Sequence, residues 1–235
     1  ITLGIYMFWW QKSLFQYYID NLSLHHKIRT SSLAENAPLL IMLHGYGSDE
    51  NDLFSFASEL PEELFIISAR APYTMQPFGN AWYAINFDAV QGKWSDNIQA
   101  KESRDLIAKF IDEATNAYPV NKNKVTLLGF SQGTILSYAV ALTYPEKVKN
   151  IIALSGYINK DILPQDIETK DYSHLDFYCS HGSVDQVIPV DWARRTSSFL
   201  NSLHIKHQYS EFPVGHGVAP QNFYELRDWL IKRIK

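Results

Sequence analysis

Cysteine is almost absent from this sequence: Cys179 is the single example in 235 residues, so an internal disulfide is excluded. It lies in the apolar run DFYCSH, where a buried and inert thiol is expected. Neither positive nor negative side chains are in large excess. The formal net charge is only −4, so neither a nucleic acid nor an anionic membrane is indicated as a partner. The histidines lack metal-ligand spacing such as H-E-x-x-H, and we expect neither a metal nor an organic cofactor.

Long apolar runs are missing as well, since none reaches the roughly 20 residues of a stable membrane span. The N-terminal segment ITLGIYMFWW is apolar but short. It has neither a leading basic region nor a small-residue cleavage site, so a signal peptide fits it poorly. We treat residues 1–22 as an apolar N-terminal extension, for which an additional packing segment is favoured over a targeting element. A cytoplasmic protein is expected.

Residues 23–235 contain no repeat and no Pro/Gly linker, which predicts a single domain. Short, mostly continuous apolar runs predict parallel strands covered on both faces, at 38–43, 63–69, 124–129, 150–156, 176–181 and 206–212. Amphipathic or apolar runs between them predict helices at 99–118, 132–144, 190–203 and 220–234. This alternation predicts an α/β fold, a mostly parallel doubly wound sheet with helices on both faces. The chain has no room for a large cap domain.

Ser131 lies in Gly129-Phe130-Ser131-Gln132-Gly133, between a predicted strand and a predicted helix. This is the strand–turn–helix setting of the nucleophile elbow Gly-x-Ser-x-Gly, which presents its serine at a helix N-terminus. The five residues alone also fit an ordinary loop serine. Their position at the end of a strand favours a reactive one.

A serine hydroxyl needs a base to remove its proton, and α/β-hydrolases order the three groups as Ser, then Asp or Glu, then His. His216, in PVGHGVAP, follows the last predicted strand and is the predicted base. Asp185, in SHGSVDQVIP, also follows a strand and is the predicted acid. His181 precedes Asp185 and is assigned to shaping the loop. Three other acids remain rivals of Asp185, although helix capping, a strand start and a polar loop explain them: Asp191, Asp176 and Asp171.

The run His44-Gly45-Tyr46-Gly47 directly follows the first predicted strand, where α/β-hydrolases place an oxyanion-binding loop. The expected donors to a tetrahedral oxyanion are two backbone N–H groups, those of Gln132 and Tyr46. A Gly-rich turn that merely ends a strand is the competing interpretation of this run.

These motifs resemble the carboxylesterase, acyl-protein thioesterase and lysophospholipase family of small α/β-hydrolases. The matching segments are 43–53, 69–72, 81–85, 127–134, 153–157, 181–189 and 215–218. The resemblance implies the roles given above for Ser131, Asp185, His216, Tyr46 and Gln132, and it places Trp82 beside the acyl site. Thr134 departs from the glycine or alanine of many relatives, and Ser183 departs from the acid of their HGDxD motif. The first twenty or so residues have no counterpart.

The expected reaction is hydrolysis of a small-molecule carboxylic ester, thioester or lysophospholipid, with a small to medium acyl chain. Residues 70–94 form a long connection and are a candidate acyl-binding loop. Their aromatic side chains are Tyr73, Phe78, Trp82, Tyr83, Phe87 and Trp94. For all but Trp82, a plain core role is an equal alternative. A peptidase-like or dienelactone-hydrolase-like enzyme shares the fold, although the latter usually has a cysteine nucleophile. A non-catalytic binding protein on this scaffold is the alternative of another class. Relatives are often dimers, which makes a homodimer a further expectation.

Overall fold

The computed structural model describes residues 2–88 and 92–235. Its main sheet is built from strands that, in chain order, are β1 (His26–Arg29), β2 (Ala37–Leu43), β3 (Phe65–Ala69), β8 (Val120–Phe130), β9 (Asn150–Leu154), β10 (Asp176–Gly182) and β11 (Lys206–Phe212). Two short hairpins lie between β3 and the next helix: β4 (Tyr73–Thr74) with β5 (Asn80–Ala81), and β6 (Ile85–Asp88) with β7 (Gly92–Ser95).

The strands of the main sheet lie in the order β1-β3-β2-β8-β9-β10-β11. All neighbouring pairs are parallel except β1 and β3, which are antiparallel. The predicted mostly parallel sheet is therefore confirmed. Strand β1 was not predicted, because HKIR is a short and largely polar run at the sheet edge, without the apolar continuity of a central strand.

The helices are α1 (Thr2–Asn21), α2 (Asn97–Ala117), α3 (Gln132–Thr143), α4 (Val190–Ser202) and α5 (Pro220–Ile234). A short 3₁₀ helix covers Leu53–Glu59. The side chain of Asp96 caps α2 by accepting hydrogen bonds from the N–H groups of Ile98 and Gln99, each with a donor–acceptor distance of 3.0 Å. Every residue of α3 is buried, as expected for a helix that is apolar on all sides.

The alternating side chains of β2 show how helices cover both faces of the sheet. Leu39 and Ile41 enter a core cluster that also contains buried apolar residues of α2 and α3. Leu40 and Met42 enter the opposite cluster, with buried residues of the 3₁₀ helix and of α5. Successive residues of a strand point to opposite faces, so a continuously apolar strand needs a cover on each side. The doubly wound architecture is thereby confirmed.

Helix α1 occupies most of the predicted N-terminal extension. Near its C-terminal end, Phe15 is buried and packs edge-to-face on Phe65 and Tyr118, with ring centroids 6.0 and 5.3 Å apart. Earlier in the helix, Trp9 and Trp10 are exposed. In the part of the chain that the structure describes, no helix combines the length and the apolar character needed to cross a membrane.

Candidate functional site

Ser131 lies at the turn between β8 and α3, with the backbone angles φ 54° and ψ −114° that non-glycine residues rarely adopt. Its N–H donates to the carbonyl oxygen of Leu154 over 2.9 Å, which ties the turn to the end of β9. A side chain at Gly133 would overlap the carbonyl oxygen of Leu43, and one at Gly129 would overlap the backbone of Gly133. The two glycines therefore allow β2, β8 and α3 to approach closely around the serine.

The structure brings Ser131, His216 and Asp185 together in one hydrogen-bonded chain. The Nε2 atom of His216 lies 2.9 Å from Oγ of Ser131, and its Nδ1 atom lies 2.7 Å from Oδ2 of Asp185. The ring of Phe130 packs against the imidazole, with centroids 5.0 Å apart. Each of the three residues follows a different parallel strand, so their meeting reflects the common edge at which those strands end.

Asp185 is held in place by more than the imidazole. Its Oδ1 atom accepts hydrogen bonds from the N–H groups of Val187 and Ile188, over 2.8 and 2.9 Å. Burial acts to raise the pKa of Asp185, but the hydrogen bonds from His216 and from these backbone groups outweigh it and hold the pKa below its usual value. The carboxylate is therefore ionised at neutral pH and oriented toward Nδ1.

The other acids considered from the sequence are engaged elsewhere. Asp176 forms ion pairs with Lys206 and Arg233, over 2.6 and 3.0 Å. Asp191 pairs with Arg194 over 3.1 Å. Asp171 accepts the N–H of the nearby Ser173 over 2.9 Å.

His181 belongs to the loop that carries Asp185. Its Nε2 atom lies 2.8 Å from the carbonyl oxygen of Ile188 and 3.3 Å from Oδ2 of Asp185. Since a carbonyl oxygen only accepts, Nε2 carries a proton and donates to it. The ring thus joins the two ends of the turn 185–188, the loop-shaping position foreseen from the sequence.

The turn 44–47 lies directly beside the serine. A Cβ atom placed at Gly45 would be 3.5 Å from Cβ of Ser131. The buried ring of His44 accepts the N–H of Ala71 at Nε2 over 3.0 Å and donates from Nδ1 to the carbonyl oxygen of Gly45 over 2.7 Å. Burial lowers the pKa of His44, so the ring is neutral and its tautomer is set by these two contacts. Within the described part of the chain, the N–H groups of Tyr46 and Gln132 make no hydrogen bond.

The side chain of Gln132 has a role that the sequence did not indicate. Its Oε1 atom accepts a hydrogen bond from the N–H of Trp82, and its Nε2 atom donates one to the carbonyl oxygen of Tyr83, each with a donor–acceptor distance of 2.8 Å. The residue after the serine thus anchors a segment some fifty positions away along the chain. No local pattern signals such a contact.

Thr134 is the second position whose role emerges only in the structure. Its buried hydroxyl lies 2.6 Å from the carbonyl oxygens of both Gly129 and Leu154, and it accepts the N–H of Leu154 over 2.9 Å. The hydroxyl therefore connects the ends of β8 and β9 below the serine, a connection that glycine or alanine at this position cannot make.

A cavity of about 670 Å³ opens onto Ser131 and His216. Its walls are largely apolar or aromatic and include Tyr46, Tyr83, Ile85, Trp94, Phe130, Ile135, Tyr157, Val187, Ile188 and Trp192. Within the described residues, no group of three or more histidines, cysteines and acids is placed to hold a metal ion.

The expectation for Trp82 needs correction. Its side chain is 0% exposed and does not line the cavity. Its indole N–H instead donates to the carbonyl oxygen of His44 over 2.9 Å, so the ring supports the turn 44–47 from behind. In the same segment Tyr83 and Trp94 line the cavity, whereas Phe78 is largely exposed; the side chain of Phe87 lies outside the described residues.

Comparisons with known proteins agree with this architecture. The sequence profile of the phospholipase/carboxylesterase family matches residues 25–234. The acyl-protein thioesterase 1 of Yarrowia lipolytica is 28% identical over 226 residues, covering 88% of this chain and 97% of the relative. The lysophospholipase-like protein 1 of Mus musculus is 22% identical over 220 residues, covering 87% and 90%.

Solved structures show the same fold. The esterase PE8 superposes with a TM-score of 0.77 at 25% identity and covers 89% of this chain and 99% of its own. The Bacillus cereus carboxylesterase superposes with a TM-score of 0.79 at 17% identity and covers 93% and 98%. The resemblance inferred from the motifs is thus confirmed. The chain belongs to the phospholipase/carboxylesterase family, has the α/β-hydrolase fold and is a hydrolase of the esterase type.

Proposed function

We propose that this protein hydrolyses carboxylic esters or thioesters through an acyl-enzyme on Ser131, with His216 as general base and Asp185 as the acid that orients it. The observation that carries the proposal is the unbroken hydrogen-bonded chain from Oγ of Ser131 through the imidazole to the carboxylate. A nucleophile, a base within hydrogen-bond reach and a third group that orients the base are the parts that such chemistry needs.

In the first step Oγ of Ser131 attacks the acyl carbon while Nε2 of His216 takes the hydroxyl proton. Asp185 stabilises the imidazolium that forms and keeps Nδ1 protonated. The bond between the acyl carbon and the leaving oxygen or sulfur then breaks, and Nε2 gives its proton to that atom. The products of this step are an alcohol or thiol and an ester of Ser131.

The negative charge on the tetrahedral oxygen needs donors that are free and correctly placed. The N–H groups of Gln132, at the start of α3, and of Tyr46, in the turn beside Ser131, meet this need. Both lack other partners among the described residues, and a helix N-terminus favours an anion. Loss of one such donor costs about 3 kcal/mol in the transition state.

In the second step a water molecule attacks the acyl carbon, again with His216 as base. Its oxygen bonds to the acyl carbon, the bond from that carbon to Oγ of Ser131 breaks, and the water's proton passes through Nε2 to Oγ as the carboxylic acid leaves. The apolar cavity beside the serine fits a small to medium acyl chain, since Ile85, Ile135 and Val187 offer it apolar contact.

The test is hydrolysis of p-nitrophenyl esters of graded chain length, with an acyl thioester assayed beside them. We expect turnover by the parent protein and a fall of at least about a thousandfold in kcat for Ser131→Ala. Ser137→Ala is the matched control, because it removes a buried hydroxyl from helix α3, which follows Ser131, without touching the site. Parental turnover by Ser131→Ala would overturn the proposal.

A further inference from the structure

A second cavity, of about 970 Å³, adjoins the one that opens onto Ser131. The two cavities share four lining residues, namely Trp94, Ser95, Tyr157 and Trp192. The rings of Tyr157 and Trp192 pack edge-to-face, with centroids 5.0 Å apart, and stand on the boundary between the two spaces. A substrate whose reacting carbonyl lies at Ser131 can therefore extend into both.

The charges of the two cavities differ. Among the residues whose side chains the structure describes, the cavity at Ser131 is lined by one carboxylate, Asp52, and by no lysine or arginine. The described wall of the second cavity contains two cations, Lys160 and Arg195, against one carboxylate, Asp161. Its wall is also richer in polar side chains, which include Asn97, Asn159, Ser198 and Ser202. An excess of cations stands out in a chain whose net charge is −4.

The cation of Arg195 is available to a ligand. Its neighbour Arg194 is engaged by Glu211, over 2.7 and 2.9 Å, and by Asp191 over 3.1 Å. Arg195 has no hydrogen bond or ion pair with any residue that the structure describes. The ammonium of Lys160 lies 5.0 Å from the ring centre of Phe199, a contact that leaves its N–H groups open to an anion.

We propose that the second cavity binds the leaving half of the substrate and that this half carries an anionic group, a carboxylate or phosphate, held by Lys160 and Arg195. The inference rests on the proposed esterase function. The apolar space at Ser131 suits the acyl half, and its carboxylate repels an anion. The polar, cationic neighbour suits the other half, so the two cavities divide the ester between them.

The test uses butanoyl esters of ω-hydroxyalkanoic acids of four, six and eight carbons. Each ester is assayed as the free carboxylate and as the neutral carboxamide, which has nearly the same shape and is not itself an ester. Butanoyl esters of ω-hydroxyalkyl phosphates of matching length distinguish the phosphate source from the carboxylate source. The quantity measured is the ratio of kcat/KM for each anionic ester, carboxylate or phosphate, to kcat/KM for the neutral carboxamide of the same length.

We expect this ratio to be about fivefold or more at low salt for at least one chain length, and to fall as the ionic strength rises. The double variant Lys160→Gln, Arg195→Gln is expected to bring it to about one through a higher KM for the anionic ester. Arg194→Gln is the matched control for the change at Arg195, because it removes one cation from the same helix outside the cavity, and it is expected to keep the parental ratio.

Three results would overturn the inference. The first is a parental ratio of one or less at every length for both anions. The second is a parental ratio that persists in the double variant, and the third is an equal loss in Arg194→Gln. A folded parent that hydrolyses none of the esters contradicts the proposed function itself. Hydrolysis without anion preference contradicts the leaving-group site alone.

Discussion

The Oε1 atom of Gln132 accepts the backbone N–H of Trp82 over 2.8 Å, while the amide nitrogen of the same side chain donates to the carbonyl oxygen of Tyr83. One residue thereby places its own N–H beside Ser131 and fixes the backbone of the segment that supplies Tyr83 to the cavity wall. The position of the serine turn and the shape of the cavity at Ser131 are coupled through this amide.

Replacing Gln132 with alanine leaves a buried N–H and a buried carbonyl without partners, which we expect to lower the free energy of unfolding by about 2 kcal/mol. Since the wall at Tyr83 also loses its anchor, KM is expected to rise more for longer acyl chains than for acetate. Gln132→Glu retains the acceptor for Trp82 but brings a buried carboxylate oxygen against the carbonyl oxygen of Tyr83, and it should lose at least as much stability as Gln132→Ala. Urea unfolding and a chain-length series of esters measure both effects; an alanine variant of parental stability and chain-length profile would contradict the coupling.

Asp185→Asn tests the orientation of the imidazole. The amide of asparagine can donate a hydrogen bond to Nδ1 of His216, which favours the tautomer that carries its proton on Nε2. Nε2 then cannot accept the proton of Ser131. We expect kcat for a short p-nitrophenyl ester to fall by about a thousandfold or more, with little change in the circular dichroism spectrum. Asp191→Asn is the control, since Asp191 pairs with Arg194 at the surface and should leave kcat within about twofold of the parent.

Thr134 connects the ends of β8 and β9 through its hydroxyl. Thr134→Ala leaves the buried N–H of Leu154 without this acceptor, and we expect a loss of about 1–3 kcal/mol in the free energy of unfolding. Thr134→Ser retains the hydroxyl and should lose clearly less. Equal losses in the two variants, measured by urea unfolding, would assign the effect to the methyl group instead.

The stability of the fold is expected to depend on pH through Glu50. The hydrogen bonds from Arg70 lower the pKa of this buried carboxylate below its ordinary 4.5, against the opposing effect of burial. A group with a lowered folded pKa contributes stability that is present above its unfolded pKa and is lost as the pH falls through the folded one. The Tm should therefore drop as the pH falls below about 4.5, and Glu50→Gln should flatten this drop. The surface variant Glu146→Gln should follow the parent curve, and a Glu50→Gln curve as steep as the parent's would show that the ion pair does not contribute.

Much of the site could be predicted because its parts follow strands. Ser131, Asp185 and His216 each come after an apolar run, and the ends of parallel strands meet at one edge of a sheet. Local patterns therefore placed three distant residues near one another without any knowledge of their contacts.

The remaining contacts depend on which segments pack together, and this information is not local. The side chain of Gln132 meets Trp82 and Tyr83 only because the segment after β5 folds over the start of α3. The same packing buries Trp82 and leaves Tyr83 to line the cavity. A sequence pattern cannot distinguish these two neighbouring aromatic residues, and the prediction for Trp82 was therefore wrong. Strand β1 was missed because a short polar edge strand has no apolar signature.

The role of Ser131 as the nucleophile is tested by labelling the intact parent protein with a fluorophosphonate and locating the adduct by peptide mass spectrometry. The oxygen of an activated serine attacks the phosphorus and displaces fluoride, so labelling needs the same nucleophile and base as ester hydrolysis does. We predict one adduct, on the peptide that contains Ser131, with labelling lost in Ser131→Ala and strongly slowed in His216→Ala. An adduct on another serine, or an unlabelled parent that still hydrolyses esters, would contradict the account.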